Sequence, residues 1–337
     1  MLYDCFMIND ELDILDWRLR LQDAFVDRFV VVEGTRTFRG EPKPLHFADN
    51  RERFAAFADK IVHVLVDDFS EVDSPWLREL HQRRAMAAAL AGVGPADWVI
   101  VGDLDELLRP QALNWLRSPA NRGSLVGFRL RRYHFRLNYM QVAGLETHEV
   151  WPIAVRGDRI PSFHAGGASP ADWAQAVRNA RLPLHYQPER FPDAALCDEA
   201  GWHFSYLGSA ERIRAKMSAI SHVEYDGSAN RAVVDDLDNT LRSGRDVYLN
   251  EEQVWGAVPL DHSFPACVLD DLCNHPERRA ETLAPVDDAI FAATRARWSA
   301  AVGLPDPGPR GFADAVRDAA LALSQRMAPR LHMVSLV

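Results

Sequence analysis

Three apolar runs, each followed directly by acidic side chains, constrain the fold of this chain most. They cover residues 29–32, 61–66 and 98–101, are rich in β-branched side chains and contain no polar alternation. Such runs are typical of strands that are buried on both faces of a sheet. Helical patterns separate them, and this alternation predicts an α/β fold with a mostly parallel central sheet and flanking helices. We expect a further strand at 2–8, ahead of them.

The helix signals are clearest at two places. Residues 10–25 predict a first helix, with Asn9 as its N-cap. Ser74 and Pro75 predict the N-cap and first position of a second helix, which should run to about residue 90. Weaker patterns predict two more helices and a strand, at 110–116, 211–221 and 124–130 respectively. Residues 156–195 are rich in glycine, proline and alanine and read as irregular.

Composition excludes several classes of protein. With 47% hydrophobic and 26% charged residues, the chain of 337 residues has the composition of a soluble globular protein. Its net charge of −10 argues against broad binding to nucleic acid or anionic lipid, although a local basic pocket for phosphate remains open. Four scattered cysteines without a CxxC pair predict neither a zinc site nor a disulfide framework. Together with the lack of a signal or transmembrane pattern, this predicts a cytoplasmic protein.

The C-terminal part carries its own pattern. Residues 303–311 are rich in proline and glycine and predict a linker, and residues 312–327 have apolar side chains at helical spacing. We expect a helix that packs on the domain, with weak contact to a membrane surface as the alternative.

Acidic side chains follow each apolar run, and the carboxyl ends of parallel strands meet at the edge of a sheet where ligands bind. Carboxylates that converge there repel one another unless a divalent metal or the hydroxyl groups of a ligand lie between them. The residues concerned are Glu33, Asp67, Asp68, Asp103, Asp105 and Glu106.

Asp103 and Asp105 form the sharpest of these patterns. Two aspartates one residue apart at a strand end can chelate Mg²⁺ or Mn²⁺, and the metal then bridges the oxygens of a diphosphate. A capping turn is the alternative. Asp236 and Asp238 repeat the spacing, but in a polar helical stretch without a preceding strand, and we interpret them as a solvated face.

Basic side chains near these acids suggest an anionic ligand. Arg83 lies four residues after Glu79, which is typical of a surface ion pair, but Arg83 or Arg84 pointing toward the strand ends would neutralise a phosphate. Loops as long as the one after Glu33 more often have a function than serve only as connections. It contains Arg36, Arg39 and Lys43.

Three stretches together resemble glycosyltransferase family 17, and they identify the chain as a soluble, bacterial-type member. They are residues 9–47, the sequence VIVGDLDEL from Val99 and the sequence AGWHFSYLG from Ala200. The resemblance runs from about residue 3 to residue 249. It implies a GT-A type nucleotide-sugar-binding fold and an inverting transferase that moves N-acetylglucosamine from UDP-N-acetylglucosamine with a divalent metal, Mn²⁺ or Mg²⁺.

The resemblance also implies roles for single residues. The family's D-x-D motif matches Asp103 and Asp105, and its Gly-Trp-His motif ends at His203, which would complete the metal shell. A core histidine and His222 are the alternatives. Two residues match strand-end acids of the family, Glu33 and Asp67, and Asp103 would contact the donor as well. The position of Arg83 on its helix, rather than the resemblance, makes it a fourth candidate for contact with the donor.

The implied reaction is an in-line displacement at the anomeric carbon, in which a carboxylate takes the proton of the acceptor hydroxyl. Glu146 is our first candidate for this base, followed by Glu224 and Asp226. Three aromatic side chains are candidates for a platform on which sugar rings stack, namely Trp151, Trp202 and Tyr206.

Residues 1–260 are predicted to form the catalytic domain, with the donor part at about 1–117 and the acceptor part at about 118–260, and residues 261–337 a helical extension. The expected acceptor is a glycan, glycolipid or polysaccharide precursor. The chain lacks the N-terminal anchor of the animal Golgi enzymes, which argues against an N-glycan and favours a cytosolic acceptor such as a lipid-linked or polysaccharide precursor. Two rival functions stay open. They are another metal-dependent nucleotide enzyme and a non-catalytic sugar- or nucleotide-binding protein.

Overall fold

The computed structural model describes residues 1–280, except 71, 145–147, 165–171, 251–252, 259 and 261–263, and also residues 333–335. The strands of this part are β1 Leu2–Ile8, β2 Arg28–Gly34, β3 Ile61–Val66, β4 Trp98–Val101, β5 Glu106–Leu108, β6 Leu125–His134, β7 Tyr139–Gly144, β8 His148–Arg156, β9 Ala194–Ser205, β10 Gln253–Ala257 and β11 Met333–Ser335. The helices are α1 Leu12–Gln22, α2 His46–Asp49, α3 Pro75–Ala88, α4 Pro110–Leu116, α5 Trp173–Asn179, α6 Arg181–Tyr186, α7 Ala210–Ala219, α8 Ser228–Asp235, α9 Leu237–Ser243 and α10 Ala266–Asn274.

All eleven strands join one sheet, and the predicted α/β class is confirmed. The order along its main path is β10-β7-β6-β8-β4-β1-β2-β3, with β9 beside β6 and paired to β5 and β11. The pairs β3-β2, β2-β1 and β1-β4 are parallel, as predicted, and so is β6-β9. The pairs β4-β8, β6-β8 and β7-β10 are antiparallel. The sheet crosses the predicted boundary at residue 117, so the division into donor and acceptor parts stays a prediction.

The two faces of the sheet explain why the apolar runs lack alternation. Along β2, Phe29 and Val31 pack into a core on one face with residues of α1 and α4, whereas Val30 and Val32 pack into a core on the other face with residues of α3 and α5. Each face therefore needs an apolar side chain at every second position. The expectation of burial on both faces is wrong for β3, because it forms the edge of the sheet, and Leu65 is 46% exposed.

The start of the first helix differs from the predicted one, whereas the start of the second agrees with it. Helix α1 is shorter than predicted at both ends, and Glu11 rather than Asn9 occupies its N-cap. The Glu11 carboxylate turns back and accepts the backbone N–H groups of Asn9 and Asp10 at 3.3 and 3.2 Å. The predicted cap of α3 is confirmed, since Ser74 Oγ accepts the N–H of Leu77 at 3.3 Å.

The prediction that residues 156–195 are irregular is wrong. This region contains α5 and α6, of seven and six residues, as well as the start of β9. Each helix spans about two turns, too few for an apolar period to stand out against the surrounding glycine, proline and alanine. The consequence is that any functional residue carried by α5 escapes a search of the sequence.

The C-terminal predictions are tested only in part. The linker at 303–311 and the helix at 312–327 lie outside the described residues. Helix α10 belongs to the predicted helical extension, while β11 adds a strand antiparallel to β9. Within the described residues, none of the helices combines the length and the hydropathy needed to span a bilayer. Three of the cysteines are buried free thiols, Cys5, Cys197 and Cys267.

One buried ion pair ties α1 to the turn that follows β4. Arg18 and Asp4 are completely buried, and the guanidinium donates to both carboxylate oxygens at 2.6 and 2.7 Å. The remaining Arg18 Nη1 donates to the carbonyl oxygens of Asp103, Leu104 and Glu106 at 2.8, 3.0 and 2.9 Å. The backbone of the D-x-D turn is therefore held from below by a side chain of the first helix.

Replacing this guanidinium should destabilise the fold strongly. The variant Arg18→Met leaves the Asp4 carboxylate buried without its counter-ion, which should lower the free energy of unfolding by about 3–5 kcal/mol. Urea unfolding followed by tryptophan fluorescence measures the change. The matched control is Arg20→Met on the same helix, where a surface pair contributes less than about 1 kcal/mol. Equal stabilities of the two variants would contradict this role of Arg18.

Candidate functional site

A cavity of about 540 Å³ opens at the carboxyl ends of β1, β2 and β4. This is the edge of a parallel sheet at which α/β proteins bind ligands, and the volume is in the range of small-molecule sites. The N-terminal part of α3, helix α5 and helix α7 close its sides, and the first half of β8 and the end of β9 form part of its floor.

The lining of the cavity is positively charged although the chain is acidic. Among the described residues that line it, seven are basic and five are acidic, in a protein with a net charge of −10. The basic residues are Arg36, Lys43, Arg83, Arg132, Arg178, Arg181 and Lys216. The acidic residues are Glu11, Glu79, Asp103, Asp105 and Glu149. Such a local excess of positive charge attracts anionic ligands.

Asp103 lies between two arginines. Arg83 Nη2 is 3.0 Å from its Oδ1, and Arg178 Nη2 is 2.7 Å from its Oδ2. Burial alone would raise the pKa of Asp103, but Arg178 and Arg83 outweigh it and hold that pKa well below its usual range. Arg83 also reaches Glu79 at 2.9 Å, so the i, i+4 pair predicted from the sequence exists and points into the cavity.

Arg178 is a residue of the cavity lining that the sequence analysis did not single out. It projects from α5 and forms a two-point ion pair with Glu106, with distances of 2.6 and 3.2 Å. Glu106 is completely buried, and burial raises its pKa in spite of the nearby Arg178. Its Oε2 also accepts the backbone N–H of Asp103 at 3.0 Å, so the same carboxylate closes the D-x-D turn. No pattern in the neighbouring sequence indicates a role for Arg178, because the acids that it binds are about seventy positions away in the chain.

Asp105 lies beside a lysine and a histidine. Lys216 Nζ on α7 is 2.7 Å from its Oδ2, and His203 Nε2 is 3.4 Å from its Oδ1. Burial would raise the pKa of Asp105, but Lys216 and His203 outweigh it and hold that pKa far below its usual range. Lys216 is 3.4 Å from Glu11 as well, and these two acids raise its pKa above the usual value although burial opposes them.

The Gly-Trp-His segment places His203 by backbone packing. A Cβ atom on Gly201 would lie 1.9 Å from the carbonyl oxygen of Leu107, so only glycine lets β9 approach β5 this closely. Trp202 is buried, and the Arg109 guanidinium lies 4.0 Å from the centre of its ring. Trp202 is therefore a core residue rather than part of the predicted sugar platform.

The structure brings the predicted metal ligands Asp103, Asp105 and His203 to one side of the cavity. The carboxylates, however, are engaged with arginine and lysine side chains of the protein. In the described part of the chain, no group of three acidic, histidine or cysteine side chains has an arrangement that could hold a metal ion. As they are arranged, these residues do not fit an open metal site. His222, the competitor, lies 2.5 Å from Glu224 at the mouth of the cavity.

Glu33 and Asp67, the predicted donor residues, lie outside the cavity lining. The Glu33 carboxylate is buried and accepts the N–H groups of Phe47 and Ala48 at 2.8 and 3.2 Å. Burial would raise its pKa, but His63 and these N–H groups outweigh it and lower the pKa. Glu33 thus fixes the start of α2. Asp67 follows the edge strand and is exposed.

The loop after β2 is bound to α7. Arg39 donates to the carbonyl oxygens of Ile220 and Met217 at 2.6 and 3.0 Å and pairs with Asp226 at 2.5 Å. The backbone N–H of Phe38 donates to the Ala219 carbonyl at 3.0 Å. These contacts close the cavity on one side. They also occupy Asp226, one of the predicted candidates for the base.

The remaining candidates are divided between the cavity and its rim. Trp151 and Tyr206 line the cavity, as expected for a platform, and Trp76 adds a side chain that is 49% exposed at its mouth. The ring of Trp76 meets His222 edge to face, with centroids 4.7 Å apart. Glu146, our first candidate for the base, lies outside the described residues.

A buried histidine and aspartate lie behind the wall formed by Tyr206 and Tyr248. His134 Nδ1 is 3.9 Å from Asp246 Oδ2, and both side chains are 1% exposed. Burial raises the pKa of Asp246 to about 6, against the effect of Arg132 and of backbone N–H groups. Burial, followed by Arg132, lowers the pKa of His134 well below its usual value. The fold therefore favours the neutral form of both groups.

Comparison with known proteins supports the family resemblance for the first part of the chain. Residues 1–150 match the model of glycosyltransferase family 17, which confirms the resemblance over that region. The β-1,4-mannosyl-glycoprotein 4-β-N-acetylglucosaminyltransferase of Rattus norvegicus is 27% identical over 148 residues, which are 42% of this chain and 28% of the relative. The enzyme of the same name from Homo sapiens is 26% identical over 148 residues. The match thus spans little more than a quarter of the length of these curated relatives.

Solved structures with partial similarity to this chain include a mannosyltransferase, a glucosyl-3-phosphoglycerate synthase and a 2-C-methyl-D-erythritol 4-phosphate cytidylyltransferase. A mannosyltransferase from Pyrobaculum calidifontis, solved with GDP-Man and Mn²⁺, has a TM-score of 0.37 and 13% identity over 97% of this chain and 81% of its own. A glucosyl-3-phosphoglycerate synthase from Mycobacterium tuberculosis, solved with Mn²⁺, UDP and phosphoglyceric acid, has a TM-score of 0.33 and 12% identity over 70% and 78% of the two chains.

Replacing Asp246 should make the fold more stable at neutral pH. Its folded pKa of about 6 lies above the unfolded value of about 3.9, so the stability it contributes is present below that unfolded value and is lost as the pH rises through 6. Relative to wild type, Asp246→Asn should gain about 3 kcal/mol between about pH 4 and pH 7.5. Urea unfolding of both proteins across this range measures the change. A difference that does not change with pH would contradict the raised pKa.

Proposed function

We propose that this protein is a glycosyltransferase whose donor, a nucleotide diphospho-sugar, binds in the central cavity. The observation that carries the proposal is the positively charged lining of that cavity, at the strand ends of a region that matches glycosyltransferase family 17. A diphosphate is the anion that such a lining suits, because arginine and lysine donate charge-assisted hydrogen bonds to phosphate oxygens.

The proposed donor is UDP-N-acetylglucosamine, and the proposed acceptor is a glycan, a glycolipid or a polysaccharide precursor. The donor assignment is supported by the names of the relatives, which are N-acetylglucosaminyltransferases. Aromatic side chains at the mouth of the cavity, including Trp76 and Tyr225, support a sugar acceptor, since sugar rings stack on such faces.

The proposed reaction inverts the anomeric carbon in one displacement. The acceptor hydroxyl oxygen forms a bond to that carbon while the bond from the carbon to the phosphate oxygen breaks. The nucleoside diphosphate leaves, and its charge is stabilised by the basic lining. The proton of the hydroxyl passes to a carboxylate of the protein, which acts as the general base.

Glu149 is the carboxylate that we assign to this step. It lies on β8 within the cavity lining, its side chain is 12% exposed, and its Oε1 is 3.9 Å from Arg132 Nη2. The other four acids of the lining each hold one of the cations Arg83, Arg178 and Lys216 in place, at 2.7–3.4 Å. Of the earlier candidates, Glu224 lies outside the lining and pairs with His222. A base must reach the acceptor, which favours Glu149.

The donor assignment predicts a preference that binding measurements can test. Titration calorimetry with UDP-, GDP- and CDP-sugars should give the highest affinity for UDP-N-acetylglucosamine, by at least about tenfold, or about 1.4 kcal/mol. The variant Arg83→Met should weaken that binding, whereas Arg84→Met on the neighbouring face, which pairs with Asp172 outside the lining, should not. Failure of every nucleotide sugar to bind would refute the proposed function.

The assignment of Glu149 as the base predicts a loss of catalytic rate without a loss of donor binding. Glu149→Gln should lower kcat about 10²- to 10⁴-fold, because it removes the proton acceptor, while the Kd of the donor stays within about twofold. Transfer to a glycan acceptor measures the first value and calorimetry the second. Glu224→Gln is the matched control and should keep full activity. A Glu149→Gln enzyme with normal kcat would exclude Glu149 as the base.

A further inference from the structure

The two aspartates of the D-x-D motif already have cations of the protein beside them. Arg83 and Arg178 bind the two oxygens of Asp103 at 3.0 and 2.7 Å. Lys216 binds one oxygen of Asp105 at 2.7 Å, and His203 is 3.4 Å from the other. A divalent ion on the same carboxylates would meet these positive charges within a few ångströms, and like charges at that distance repel strongly inside a protein.

From this arrangement we infer that Lys216, with Arg83 and Arg178, takes the place of a metal ion and binds the donor's diphosphate directly, so that nucleotide binding needs no divalent cation. The inference rests on the proposed function, because it concerns the same donor. In this arrangement the D-x-D aspartates are positioning residues. They hold the three cations at the cavity wall and contact the diphosphate only through them.

Lys216 is held in place from three sides. Asp105 lies 2.7 Å and Glu11 3.4 Å from its ammonium group, and the ring of Tyr206 lies beneath it with its centre 5.6 Å away. The ammonium group lines the cavity, and the side chain is 18% exposed. A charge that is fixed before the ligand arrives is the arrangement that stabilises a leaving diphosphate best, because no reorganisation is needed.

Arg83 has hydrogen-bonding capacity that the protein does not use. The residue is 2% exposed and lines the cavity, yet its Nε and Nη1 atoms have no hydrogen-bond partner. Buried donors are normally satisfied by protein groups, water or a ligand, so these two atoms are available to a ligand that enters the cavity. Phosphate oxygens fit the planar donor array of a guanidinium group.

The overall charge of the cavity is consistent with this inference. Seven basic and five acidic side chains line it among the described residues, an excess of two positive charges before any ion is added. The diphosphate of a nucleotide sugar carries about two negative charges at neutral pH and would balance that excess. An added divalent ion would leave the loaded site positive again.

Calorimetry with UDP tests the inference directly. Wild-type protein should bind UDP with the same Kd, within about threefold, in Mn²⁺ and in EDTA. Lys216→Met should lose about 10- to 100-fold in affinity in EDTA, the effect of removing one charge-assisted contact. Because this variant leaves the Asp105 carboxylate without its lysine, Mn²⁺ should now restore part of the affinity. A dependence on metal would thus appear only when Lys216 is removed.

Two controls keep the test decisive. Lys60→Met removes the same type of side chain at a surface pair with Asp23, outside the cavity lining, and should bind UDP like wild type. Lys216→Arg keeps the charge and should keep binding that is insensitive to EDTA, which answers the question even where Lys216→Met does not fold. Wild-type binding that needs Mn²⁺, or normal binding by Lys216→Met in EDTA, would overturn the inference alone. No binding of UDP under any condition would overturn the proposed function with it.

Discussion

The buried pair between Arg18 and Asp4 is the interaction on which the rest of the structure depends. Its guanidinium reaches from the first helix, through the interior, to three backbone carbonyl oxygens of the segment 103–106 after β4. A charge at zero exposure is tolerated only when a counter-ion and hydrogen-bond acceptors surround it, and here both are supplied by segments that must meet for the sheet to form. The position of the D-x-D turn is therefore a property of the core, and ligand binding does not have to create it.

Above this anchor, the cavity wall is built from alternating acids and bases. One chain of contacts runs through Glu79, Arg83, Asp103, Arg178 and Glu106, and a second joins Glu11, Lys216, Asp105 and His203. Each acid fixes the position of a base, and the bases beside Asp103 and Asp105 hold the pKa of those two carboxyls well below its usual range. The result is a lining whose excess charge is positive, which explains how an acidic protein offers a site for an anion.

The sequence predicted those features that are local. The strands came from apolar runs, the cap of α3 from Ser74, and the position of the D-x-D motif from its place after a strand, since each signal lies within a few residues. Arg178 and Lys216 could not be found in this way, because their roles come from contacts with residues 72 to 111 positions distant. Glu33, by contrast, was predicted as a donor residue although it lies outside the cavity lining. The strand-end rule cannot distinguish a carboxylate that faces a ligand from one that caps a neighbouring helix.

The attachment of the loop after β2 to α7 joins two parts of the cavity wall that are far apart in the chain. Arg39 binds the last turn of the helix that carries Lys216, through the carbonyl oxygens of Ile220 and Met217. The loop that follows one strand of the sheet thereby helps to set where the end of α7 lies. A substitution of Arg39 would therefore be felt at the cavity wall, although Arg39 itself lies outside the lining.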